Sequence, residues 1–136
     1  MYFFLPDISI WKTYNLLDMS SMFENCRTLI SLPDISKWIV SKVKYMESTF
    51  TKCICLISLP DLSIWKTYNL TNFNEMFSEW ISLSYPPDTF KWKFSFFHIS
   101  NNIYDNCFSS INLPEISYKK NENQKTKSYK WEFKFI

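Results

Sequence analysis

The chain has 136 residues, enough for one domain or one short repeat array, with 46% hydrophobic and 20% aromatic residues and a net charge of +2. It contains no Gly, which excludes the GxGxxG dinucleotide turn, the phosphate-cradling P-loop and the GxSxG elbow, because each needs Gly for positive φ or close backbone approach. Charge is divided along the chain: residues 1–117 carry net −2 and residues 118–136 net +4, so a nearly neutral body precedes a basic tail.

Met1–Leu5 is too short an apolar stretch for a signal-peptide core, so the sequence carries no visible signal peptide. No run approaches 18 apolar residues, so no membrane-spanning segment is expected. The first organised feature is Leu5-Pro6-Asp7-Ile8-Ser9. It recurs 27 residues on as Leu32-Pro33-Asp34-Ile35-Ser36 and again as Leu59-Pro60-Asp61-Leu62-Ser63. Pro86-Pro87-Asp88 and Leu113-Pro114-Glu115-Ile116-Ser117 keep the same register. Other columns step by 27 as well: Trp11, Trp38, Trp65 and Trp92; Phe23, Phe50, Phe77 and Tyr104; Cys26, Cys53, Trp80 and Cys107; Leu29, Leu56 and Leu83. The period lies within the range of leucine-rich repeats.

Within a unit, Val43, Met46, Phe50 and Cys53 are spaced 3, 4 and 3, which predicts one face of a short helix with Ser41 as its N-cap. Leu16, Met19, Phe23 and Cys26 match it in the first unit. The segment from Leu56 to Leu62 is the expected strand half, shortened or bulged at Pro60, which lacks a donor. The fold expected is an α/β repeat: a leucine-rich-repeat-like solenoid of four to five coils over residues 1–117, starting near 5, 32, 59, 86 and 113. Each coil would combine a short helix and a short parallel strand, stacked at about 4.8 Å. Residues 118–136 form a basic, aromatic C-terminal tail in which Lys130–Phe135 alternates like a strand.

Several columns invite a chemical reading. Asp7, Asp34, Asp61 and Asp88 could gather a cation, but the Asp-x-Ser pattern favours acids that accept turn N–H groups. The Trp column could be an exposed stacking platform; a buried ladder is favoured, because such ladders make up repeat cores. The column of Cys26, Cys53 and Cys107 tolerates Trp80, which favours small buried hydrophobes over disulfides, with Cys55 outside the pattern. Four Cys without a CxxC pair and a lone His98 oppose a zinc site and a nucleophile–base pair. No cofactor, no catalysis and no nucleic-acid partner are expected.

The units read LPDIS-x-W…M-x-x-x-F-x-x-C-x-x-L, most clearly over Asp18–Cys26, and resemble the BspA-like leucine-rich-repeat family of surface proteins across residues 5–117. Where that family carries Gly before Cys, this chain has Asn25, Lys52 and Glu79. The resemblance implies a non-catalytic, protein-binding scaffold of adhesin type, on a cell surface or secreted. The candidate binding surface is Ser31, Ser58, Lys37 and Lys66. The alternative is a truncated or degenerate piece of a longer array without independent activity. No cap precedes the first repeat, so self-association through an open end is also expected.

Overall fold

The computed structural model describes residues 4–83, 87, 89, 91–94, 102–107, 115–119 and 130–134. The expectations for Pro86, Asp88, His98, Leu113, Pro114 and Phe135 lie outside them.

The backbone of each repeat is set by two left-handed residues. Ser21 and Asn25 have φ of 57° and 62°, and their equivalents one, two and three repeats on (Ser48 and Lys52, Glu75 and Glu79, Asn102 and Asn106) all have φ between 54° and 62°. A right-handed helix cannot accommodate such a residue at every fourth position. Tight turns form instead. The Met22 N–H donates to the Met19 carbonyl at 3.1 Å, and the Cys26 N–H to the Phe23 carbonyl at 3.2 Å. In both turns the left-handed residue stands third, the place where such turns demand positive φ.

The intervening N–H groups leave the repeat altogether. Those of Met19, Ser21, Phe23 and Asn25 donate to the carbonyls of Tyr45, Glu47, Thr49 and Thr51, at 2.8–2.9 Å. Met46, Ser48, Phe50 and Lys52 donate in the same way to Asn72, Asn74, Met76 and Ser78, and Phe77 and Glu79 to Ile103 and Asp105. Each repeat thus hangs on the next by a row of backbone bonds. The register of 27 residues is what makes every bond in the row repeat.

This arrangement overturns the expected α/β solenoid of helix-and-strand coils. The 3-4-3 apolar spacing over Val43–Cys53 belongs to consecutive turns, which bring the same side chains inward as a helix would. No helix follows Ser41, whose carbonyl instead accepts from Asn69 Nδ2 at 2.7 Å. The Leu56–Leu62 segment forms no strand: it runs without regular structure into a three-residue 3-10 turn, Leu62–Ile64. Pro60 supplies no donor there, the Leu56 N–H donates back to the Cys53 carbonyl at 3.1 Å, and just past the segment the Asp61 carboxylate accepts the Ser63 N–H. Among the described residues, parallel pairing occurs only as isolated bridges elsewhere, Asp18 to Tyr45 and Tyr45 to Asn72.

The core lies between the repeats as ladders of like residues. Phe23, Phe50, Phe77 and Tyr104 stack with centroids 5.3, 5.8 and 5.4 Å apart and nearly parallel rings. Met46, Leu56, Leu70, Met76 and Leu83 are buried around them. In the tail, β1 (Glu115–Lys119) pairs antiparallel with β2 (Lys130–Lys134), Ser117 opposite Glu132.

Candidate functional site

The surface beside the Trp column is built by one local device. In each Leu-Pro-Asp-x-Ser segment the Asp carboxylate folds back on the chain. Ser9 donates its N–H and hydroxyl to Asp7 Oδ1 at 3.0 and 2.5 Å, and Ser36 does the same to Asp34 at 3.0 and 2.6 Å. The Ser63 N–H donates to Asp61 at 2.9 Å. These Ser bonds hold all three carboxyls below the usual carboxylate range. The acids are engaged within their own turns and are not aimed at a shared point in space.

The turn delivers the following Trp inward. Trp38, Trp65 and Trp92 are buried, and each indole N–H donates to a carbonyl of the preceding repeat: Ile8, Ile35 and Leu62, at 3.0, 3.1 and 2.8 Å. Trp11 stacks on Trp38 at 5.7 Å but is 52% exposed, against 4% for Trp38. The two residues flanking each Trp consequently face out. Ile10, Ile39 and Ile64 are 77%, 54% and 60% exposed, and Lys12, Lys37, Lys66, Lys91 and Lys93 are exposed beside them. The result is a chequered Ile and Lys face running across four repeats, with no acid among the flanking positions.

Ser31 and Ser58, in the segment before Leu-Pro-Asp, are exposed, as are Lys37 and Lys66. Lys37 and Lys66 lie on the chequered face; the two serines are in a different segment of the coil. The flanking Ile10, Lys12, Ile39, Ile64, Lys91 and Lys93 were not singled out from sequence. Their signal was available: when a Trp points inward in an extended segment, its neighbours point outward.

The Cys column serves structure. Cys53 Sγ donates to the Phe23 carbonyl at 3.1 Å and Cys107 Sγ to Phe77 at 3.0 Å; the Trp80 indole takes the corresponding role toward Leu56. Cys26, Cys53, Cys55 and Cys107 are free thiols. Burial pushes Cys26 and Cys107 up and raises Cys53 to about 12, the direction opposite to that of a reactive thiolate. Leu29, Leu56 and Leu83 are buried in the core. No helix among the described residues is long and apolar enough to cross a membrane.

Residues 2–116 match the model of the family described as Mycoplasma protein of unknown function, DUF285. The chain belongs to this family. The DUF285 match covers all the stacked repeats and stops at the start of β1. No match was found among curated proteins or among solved structures.

Proposed function

We propose that this DUF285 chain is a non-catalytic protein-interaction scaffold of the surface-repeat type, and that the chequered face beside the Trp column is what it presents. The observation carrying this reading is a contrast between columns. Inward positions repeat Trp, Phe and Leu, whereas the outward flanks change from repeat to repeat: Ile, Lys, Ile, Lys on one side of the Trp and Lys, Ile, Lys, Lys on the other. A surface with half-exposed isoleucines among lysines suits a partner offering carboxylates and aliphatic side chains. The raised thiols support a role without nucleophilic chemistry. The resemblance to BspA-like surface proteins, with which the family match is compatible, supports a place on the cell surface.

The test is a binding titration of the chain with a Glu- and Leu-rich peptide and with its Gln-for-Glu counterpart. The scaffold reading expects saturable, salt-weakened binding of the acidic peptide, lost on Lys37→Glu with Lys66→Glu. Equal binding of both peptides, or no saturable binding, would count against this face and favour an array segment without activity of its own.

A further inference from the structure

Each repeat sorts its charge by segment. Around the Trp residues, segments 10–15, 37–42, 64–69 and 91–94 carry six lysines and no acid. The turn segments that follow, 18–25, 45–52, 72–79 and 102–106, carry six acids against one lysine. Asp18, Glu24, Glu47, Glu75 and Asp105 are exposed, and Glu79 is partly so. Leu17 and Tyr45, 56% and 46% exposed, lie along the acids as the isoleucines lie among the lysines.

The two faces do not neutralise each other within the chain. Among the described residues the ion pair formed is Lys52 with Glu79, at 3.4 Å and inside the turn column itself. Lys12, Lys37, Lys66 and Lys93 enter no ion pair there. Within each face, like charges recur on neighbouring repeats, which the Phe ladder places 5.3–5.8 Å apart. Like charges at such a spacing repel, and a surface of opposite sign and equal spacing relieves them. The same 27-residue period gives the lysine face and the acid face that equal spacing. Residues 1–117 carry net −2, so whole copies repel one another little.

We infer that the chequered Ile and Lys face docks the acidic turn face of a second copy of this chain, the copies lying side by side. The inference rests on the proposal that the chequered face is what the chain presents, and it names what that face meets. Single exposed ion pairs are weak, but a shared period lets several form together along the stack. The contact joins unlike surfaces, so it is heterologous.

The test uses the full chain in sedimentation velocity across a wide concentration range. The mass average should rise with concentration at about 50 mM salt, and association should weaken at least about tenfold at about 500 mM. Lys37→Glu with Lys66→Glu spoils the chequered face, and Glu24→Lys with Glu75→Lys spoils the turn face. All four positions are exposed, so both variants should keep the wild-type circular dichroism. Each variant alone should stay monomeric where the wild type associates. An equimolar mixture should associate again, because each variant supplies the face that the other lacks. Association indifferent to salt, variants that associate like the wild type, or a mixture that stays monomeric would overturn the inference; the salt comparison needs no variant to fold. The Glu- and Leu-rich peptide separates this inference from the reading beneath it. Saturable peptide binding by a chain that is monomeric at every concentration would overturn the self-docking and leave the scaffold standing. Absence of both would sink both.

Discussion

Lys52 and Glu79 stand where the backbone asks for Gly. Both have left-handed φ, 62° and 55°, in the column whose other members are Asn25 and Asn106. A side chain with a Cβ costs roughly 1–2 kcal/mol in that region, and Asn tolerates it best. The substitution to make is Lys52→Gly, and the comparison to make is with Lys52→Ala. Both lose the long side chain and its 3.4 Å ion pair with Glu79, which at half exposure contributes at most about 1 kcal/mol. The difference between the two variants then isolates the backbone. Relief of the left-handed conformation favours Gly by about 1–2 kcal/mol, and its extra freedom in the unfolded chain opposes by roughly 0.4–1 kcal/mol. Gly should therefore exceed Ala by about 0.5–1 kcal/mol, or about 2–4 °C in Tm for a chain of this size. Thr28 is exposed and is not among the positive-φ residues, so there the sign reverses and Ala should exceed Gly. The assay is urea denaturation of the four variants at one protein concentration. Gly at position 52 equal to or worse than Ala, as at position 28, would refute the left-handed turn.

Other consequences follow from the same geometry. Trp65→Phe removes a buried indole bond to the Ile35 carbonyl and should cost about 1–2 kcal/mol by denaturation, whereas Trp11→Phe, whose indole has no acceptor among the described residues, should cost less than about 0.5 kcal/mol. Buried Cys53 should react with a maleimide far more slowly than half-buried Cys55 in the native chain, the two rates converging in urea. The Cys53 pKa is raised from 9.0 to about 12 on folding, so its contribution to stability is full below pH 9 and is lost as pH climbs toward 12; Cys53→Ala should flatten that alkaline decline. Asp34 is held below its ordinary 3.8 by Ser36, so its contribution is present above that pH and lost as pH falls through the lowered value. Asp34→Asn, which keeps an acceptor but not the charge, should blunt acid unfolding in a pH titration followed by tryptophan fluorescence.

Much of the architecture could be read from spacing. A strict 27-residue register across the Trp, Phe and Leu columns demands that like residues stack, and Phe23, Phe50, Phe77 and Tyr104 do. The local conformation could not be read the same way. A 3-4-3 apolar spacing is common to a helix and to a run of tight turns, and only the sign of φ separates them. That sign is usually advertised by Gly, and this chain has none. Ser21, Lys52 and Glu79 carry no local mark of positive φ; the one hint was that the resembling family places Gly before Cys. The strand reading of Leu56–Leu62 failed because Pro60 lacks a donor, the Leu56 N–H closes a turn on Cys53, and Asp61 caps the 3-10 turn that starts at Leu62. On the surface, Lys37 and Lys66 were legible as candidate binding residues, whereas the exposed Ile10, Ile39 and Ile64 are placed outward only by the inward direction of each Trp, which spacing alone does not give.

The repeats hang on one another through backbone bonds offset by 26 residues rather than on helices of their own. The most direct test is the measurement of through-hydrogen-bond couplings by NMR on the labelled chain. Couplings from the Phe23 N–H to the Thr49 carbonyl and from the Phe50 N–H to the Met76 carbonyl are predicted, as the 2.9 Å bonds require. Couplings from Phe50 and Cys53 to the carbonyls four residues earlier, with helical contacts across residues 43–53, would contradict it.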